Sequence, residues 1–406
     1  MGHRISDASC GNDLWRIERG DAQHNRQGGP RAGGSLKMLK LEAFAPDDAR
    51  LLQEGVDRWA ADAASVEHIH DALREDVDHA RAKWRALAEL GWLAIGLPEE
   101  VGGLGAGDAK DIAIISAGFG RSVRNEPLLS AVVICARLLA ILGDESQKAE
   151  LAAIIAGNRT AAFAHTEPEL GFASGPLRTR CSHGALHGSK SFVLDGADAD
   201  FFLVSAMDDD GAMGIYLVQR DAPGLEIVPF QMIDGRRSAD LRLSGVEALR
   251  LGSQDAREAI DYVLDFAIVA LAADAAGAMA GIIELTKEYM ASRHQFGKPL
   301  NAFQVLRHRL VDMYVHLEET KAMIDMGATA LALPDPAERS VAIAALKVQM
   351  CRAARFVGQQ GVQLHGGMGM TDEYIVSHYF KRLMVLEAFL GNADFHLRRV
   401  ERAITR

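Results

Sequence analysis

The chain has 406 residues, 49% of them apolar, and a mean hydropathy near zero; that apolar mass is enough for a large core and two or three domains. Its 44 Lys and Arg stand against 55 Asp and Glu, a formal charge of −11. The basic residues are scattered among acidic ones, which leaves neither a basic nucleic-acid face nor an anionic-membrane binder.

In chain order, residues 1–37 are polar and rich in Gly and Arg. They read as a disordered tail, or as an upstream translated stretch ahead of a start at Met38, and they lack the apolar segment of a secretory signal. An N-terminal helical domain is expected over 38–158. Its apolar period is helical in DDARLLQEGVDRWAADA and REDVDHARAKWRALAELGWLAIGLP, breaks at Pro98 and GGLGAG (102–107), and resumes from about Asp108 to Ala156, with interruptions at Pro127 and Gly143. A middle β domain is expected over 159–252, where short β-type runs such as ADFFLVSAM, GIYLVQ and LEIVPF alternate with turn residues; this spacing predicts a small sandwich or barrel. Over 253–406 the helical period returns in the runs 254–292, 303–332, 336–361 and 372–404, which predicts a four-helix bundle. The expected fold class is α+β, mainly α.

The apolar run VLDFAIVALAADAAGAMAGII carries Asp265 and Asp274, which suits a buried helix better than a membrane span. The four cysteines form no CxxC pair and no zinc-spaced Cys/His cluster, so a reduced, cytoplasmic chain without a metal site is expected. No GxGxxG follows a strand in a βαβ setting, which argues against a dinucleotide fold. The stretch QLHGGMGMT (363–371) places three glycines between two helical runs. One glycine suffices for a helix C-cap; three suggest a backbone that something else must approach closely.

Four motifs, in this order, resemble the acyl-CoA dehydrogenase family over roughly Leu39–Arg402: AHTEPELG (164–171), HGSKSFVLDGADADFFLV (187–204), SRHQFGKPLNAFQVLRHRLVDM (292–313) and QLHGGMGMTDEY (363–374). The resemblance implies FAD as cofactor and α,β-desaturation of an acyl-CoA thioester. In that reaction a carboxylate takes the α-proton while the β-hydrogen leaves as hydride to the flavin. It also implies an electron-transfer flavoprotein as acceptor, and a homo- or hetero-oligomer (a dimer of dimers), because each FAD would span two chains. By the same resemblance Arg293 and Phe296 take the pyrophosphate and adenine, and Gln304 and Gln363 add amide contacts. Gly366 and Gly367 admit a neighbouring subunit's ADP moiety, Thr166 touches the flavin edge, and Asn392 completes the cofactor set. Taken singly, each has a plainer reading: a solvated charge for Arg293, helix-end packing for Phe296, a backbone-bonded hydroxyl for Thr166.

The chain departs from the family where the proton would be taken. Leu390 stands at the common base position and Ala267 at the alternative one on the first bundle helix; neither side chain accepts a proton, so no catalytic residue is assigned. Phe172 replaces a serine after the TEP-x-x-G glycine, and Leu194 a threonine at the isoalloxazine edge. Relocated carboxylates are conceivable at Glu387, Asp394 or Asp265, but Glu387 is expected in an ion pair with Arg382 or Arg398, and Asp108 as a helix N-cap. His365 belongs by resemblance to the adenosine end. This asymmetry resembles the non-catalytic chains of heteromeric members, such as the small subunits named for pimeloyl-CoA dehydrogenase, in fatty acid or steroid side-chain catabolism. The leading expectation is thus an FAD-dependent acyl-CoA dehydrogenase subunit that needs a base-bearing partner. The alternatives are an autonomous dehydrogenase with a relocated base, or a non-catalytic binding subunit of the same fold.

Overall fold

The structure is a computed structural model, and it describes Leu39 and residues 41–63, 65–74, 77–168 and 177–405; the tail expected at 1–37 and the departure at Phe172 lie outside these residues. The first helices are α1 (Pro46–Ala63), α2 (Val66–Arg74), α3 (Val77–Glu89) and α4 (Ala109–Ser122). Asp108 begins α4 as expected: its carboxylate accepts the Lys110 and Asp111 amides, while the Asp111 carboxylate accepts the Asp108 N–H at 2.9 Å. The predicted interruption at Pro127 opens a π-wound segment, Leu128–Ala136, which runs directly into α5 (Arg137–Leu142); α6 (Lys148–Ile155) follows.

Eight strands then form one sheet: β1 (Ala161–Ala164), β2 (Arg180–Ser182), β3 (Ala185–Val193), β4 (Phe201–Met207), β5 (Met213–Gln219), β6 (Leu225–Gln231), β7 (Arg237–Glu247) and β8 (Leu249–Leu251). The order is β6-β7-β3-β2-β4-β5-β8, with β1 parallel to β4. The two halves of the sheet share a core of their own, in which Phe202, Val204 and Val218 meet Val193, Leu241 and Leu243. The alternate residues of β4, Phe201 and Leu203, belong instead to the large helical core. Both faces of β4 are therefore buried, and its sequence is a continuous apolar run. Pro229 sits in β6, the edge strand, where a missing N–H costs least.

The long helix α7 (Arg257–Ser292) is buried almost all round, as its composition demands. It crosses α4 so closely that a Cβ on Gly120 would strike the Asp274 carbonyl, and one on Gly277 the Ala117 carbonyl. A two-strand hairpin, β9 (His294–Gln295) and β10 (Lys298–Pro299), leads to α8 (Gln304–Ala330) and α9 (Pro336–His365). The last predicted run is not one helix. It is α10 (Ile375–Ala388) and α11 (Ala393–Ile404), broken because Leu390 and Gly391 adopt φ of +58° and +98°.

Candidate functional site

At one end of the bundle the structure gathers most of the sequence-predicted cofactor residues. The last turn of α7 and the end of α9 are held together by aromatic rings: the Tyr289 ring lies 4.6 Å from that of His365, which in turn lies 5.2 Å from Tyr374. His365 is 2% exposed and bonds the Gly361 carbonyl through Nδ1 at 2.8 Å, and burial lowers its pKa. Its role here is to join the two motifs. Beyond Tyr289, Arg293 leaves the helix in an extended conformation and forms no ion pair among the described residues. Phe296 and Gly297 then make a two-residue hairpin turn with φ of +54° and +79°, the pattern of a type I′ turn. A phenylalanine at positive φ is strained, and this one is 90% exposed. The turn holds an aromatic ring out toward solvent. Gln304, the first residue of α8, and Gln363, on the last turn of α9, are exposed as well.

The three glycines of the stretch have different reasons to be glycine. Gly369 is packed: a Cβ there would lie 2.9 Å from the Val362 carbonyl oxygen. Gly366 caps α9 at φ +61° and ψ −141°, a region that side chains avoid. Gly367 has neither constraint; its φ is not positive, and a Cβ would meet nothing within 4 Å. Nothing among the described residues requires it to be small.

The turn at Leu390 is built with care although it carries no acid. Lys347, fully buried on α9, donates to the Leu386 carbonyl at 2.6 Å and the Glu387 carbonyl at 3.4 Å, capping the C-terminus of α10. His396 Nε2 donates to the Leu390 carbonyl at 2.8 Å, with burial holding the imidazole pKa near 4 and the ring neutral. Asn392 caps α11, its side-chain oxygen accepting the Phe395 amide at 3.0 Å. Leu390 itself packs against the large core, and Ala267 is completely buried. The candidate replacements are all committed or turned away. Glu387 pairs with Arg355 on α9, not with Arg382 or Arg398, because those arginines serve other sites or face solvent. Asp265 pairs with Arg339 at 3.1 Å, and Asp394 is exposed.

On the sheet side, Thr166 follows β1 and is half-buried; its carbonyl accepts the Ser191 amide at 2.9 Å, and its hydroxyl makes no hydrogen bond among the described residues. The neighbouring Glu167 fixes the local backbone. It accepts the Arg178 and Thr179 amides at 2.6 and 3.0 Å and the buried Lys190 ammonium at 2.8 Å. Burial opposes the charge on Glu167, but these donors outweigh it and hold its pKa near 2. Leu194 is 4% exposed and offers no hydrogen bond.

Sequence reasoning did not find the charge cluster at the centre. Arg382 on α10 donates to both Asp274 oxygens, at 3.1 and 2.8 Å, and to Asn125 and the Arg124 carbonyl at 3.0 and 2.8 Å. Arg236 adds a third bond to Asp274, at 3.1 Å. Asp195 accepts the Ser130 hydroxyl at 2.6 Å, and burial raises its pKa. These groups tie the N-terminal helices, the sheet, α7 and α10 together, and leave a cavity of about 20 Å³ between them, room for about one water. The one signal in the sequence was an aspartate, Asp274, inside an apolar run.

The N-terminal-domain model of acyl-CoA dehydrogenase matches residues 46–158, and the C-terminal-domain model matches residues 257–405. Acyl-CoA dehydrogenase IpdE2 of Mycobacterium tuberculosis (strain ATCC 25618 / H37Rv) is 30% identical over 357 residues, covering 88% of this chain and 97% of that protein. The chain belongs to the acyl-CoA dehydrogenase family. Among solved structures, a variant of the Tcur3481–Tcur3483 steroid ACAD superposes with a TM-score of 0.81 at 28% identity, over 88% of this chain and 98% of that one. The ChsE4–ChsE5 complex from Mycobacterium tuberculosis gives 0.80 at 26% identity, over 89% and 98%. The helix–sheet–helix order expected of an acyl-CoA dehydrogenase is the order found, and α7, long and apolar enough to cross a membrane, is one of its core helices, mostly buried.

Proposed function

We propose that this chain is a subunit of a heteromeric, FAD-dependent acyl-CoA dehydrogenase, completing a cofactor site while a partner chain supplies the base. The observation that carries this reading is the contrast between its two ends. The exposed end offers an unpaired Arg293, a projecting Phe296 and an open Gly367, a set that fits the ADP moiety of an FAD approaching from outside the chain. The inner end offers carbon at both base positions, Leu390 and Ala267.

When bound, FAD supplies the hydride acceptor. The chain's own residues bind and orient it. Arg293 neutralises phosphate charge, Phe296 covers the adenine, and Gln304 and Gln363 hydrogen-bond the same half. The amides of Gly366 and Gly367 approach the pyrophosphate without a side chain in the way. Thr166, its hydroxyl uncommitted among the described residues, is the group available to a flavin edge, and Asn392, which caps α11 with its oxygen, has an amide nitrogen without a hydrogen bond among the described residues. No group of this chain takes the α-proton. Two of the similar structures are described as pairs of proteins, Tcur3481–Tcur3483 and ChsE4–ChsE5, which supports a two-chain enzyme here. An acyl-CoA substrate, an electron-transfer flavoprotein as acceptor and a cytoplasmic setting complete the proposal.

The test is the visible spectrum of the chain purified alone and co-expressed with a base-bearing dehydrogenase chain, each before and after anaerobic addition of acyl-CoAs. Flavin bleaching only in the co-expressed complex is expected. Bleaching by the chain alone would overturn the reading and point to a relocated base.

A further inference from the structure

Seven Lys and Arg side chains are buried among the described residues, and nearly all have evident partners. Arg124 holds Glu126, Lys190 holds Glu167, and Arg339 holds Asp265. Arg236 and Arg382 share Asp234 and Asp274. Lys347 lacks a carboxylate partner but donates to backbone carbonyls, and burial brings its pKa down to about 8, within reach of losing the proton. Arg137 differs from all of them. It is 2% exposed, has no ion pair among the described residues, and its Nη1 has no hydrogen-bond partner. Burial lowers its pKa only to about 10, so it stays charged at neutral pH. Its guanidinium lies over the Phe266 ring, 3.8 Å from the centroid, with Nη2 tight against Gly96. A buried charge is normally paired or bound to something.

The location suggests to what. Phe266 lies one turn of α7 before Ala270, which lines the central cavity with Leu271. Arg137 begins α5, directly after the π-wound segment whose Leu128 and Leu129 also line that cavity. The guanidinium thus sits on the same two elements, α7 and the segment leading into α5, that line the cavity, stacked on an aromatic plane and without an ion pair among the described residues. A planar fork with free donors in such a setting matches a carboxylate in shape and charge.

We propose that Arg137 anchors a carboxylate-binding site that the family reading does not assign. The carboxylate has two possible sources, the far end of an acyl chain carried by CoA or a free short carboxylate. The first source rests on the acyl-CoA reading above; neither depends on which chain holds the base, because binding is measured without turnover.

The experiment titrates the full chain, alone or with its co-purifying partner, with two matched pairs: adipoyl-CoA against hexanoyl-CoA, and free adipate against 1,6-hexanediol. Each is read by calorimetry and thermal shift, on wild type and Arg137→Met. The expected result is a preference of about tenfold or more for the carboxylate-bearing member of at least one pair, abolished in Arg137→Met. Preference within the CoA pair alone places the carboxylate on the acyl chain; a response to free adipate makes it a separate ligand. Arg137→Met is expected to melt no lower than wild type, since an apolar side chain of similar length replaces an unpaired charge. Wild type without preference in either pair, or a preference that survives Arg137→Met, overturns the proposal. Should the variant fold poorly, the wild-type comparison still decides, and Arg137→Lys, charged but without the fork, is expected to keep only part of the preference.

Discussion

Replacing Arg382 by methionine tests whether the central charge cluster is what joins the layers of the fold. The guanidinium is 1% exposed and makes its bonds to Asp274, Asn125 and the Arg124 carbonyl at 2.8 to 3.1 Å. Removing one partner of such a buried group strands the others and costs about 3–5 kcal/mol. Here Asp274 keeps Arg236 at 3.1 Å, so the lower half, about 3–4 kcal/mol, is expected. Over the compact unit Leu36–Arg406 the unfolding entropy is about 0.8 kcal/mol/K, so Tm should fall by about 4–5 °C. Differential scanning calorimetry measures this directly, with Arg355→Met as the control. Arg355 also pairs with a carboxylate, Glu387, but its side chain is 65% exposed, and such pairs contribute about 0–1 kcal/mol. An Arg382→Met protein that melts within about 1 °C of wild type, or no lower than the Arg355→Met control, would mean that the cluster does not hold the layers together.

Other outcomes follow from individual residues. Gly367→Val should leave Tm within about 1 °C of wild type, because open space surrounds the position, while lowering the flavin-to-protein ratio of the co-expressed complex; Gly369→Val should destabilise, since its side chain would meet the Val362 backbone. Glu387→Gln should leave kcat of the complex within about twofold, because its carboxylate is bound to Arg355; a loss of about tenfold or more, roughly 1.4 kcal/mol in the barrier, would instead make Glu387 the base. Glu167 is held near pKa 2 against an ordinary value of 4.5. A depressed carboxyl contributes stability that is complete above the unfolded pKa and lost as pH falls through the folded one. Wild type should therefore lose stability between pH 4.5 and about 2, and Glu167→Gln, less stable at neutral pH, should show a flatter acid limb in fluorescence-monitored urea titrations.

The elements themselves were legible because they are written in local periods. The helical run that resumes at about Asp108 and the short β-type runs that became β4, β5 and β6 were visible without tertiary information. The adenosine-side residues Arg293, Phe296 and Gly366 were placed by their positions in motifs shared with the family; the turn that holds Phe296 at positive φ was seen only in the structure. The carbon at Leu390 was also legible, since it needs only a residue's position relative to a motif. Long-range pairing, by contrast, emerges only when distant segments fold against each other. Helical period alone did not show that residues 372–404 would break at Leu390, a break held by Lys347 from α9 and His396 from α11. The partner of Glu387 was expected on its own segment and lies instead on α9. The cluster of Asp274, Arg236 and Arg382, and the unpaired Arg137, draw on residues far apart in the chain. A single charged residue looks the same in sequence whether solvated, paired or stranded. Its environment is set by which distant elements fold against it, and that is what makes Asp274 a structural hub and leaves Arg137 buried without an ion pair among the described residues.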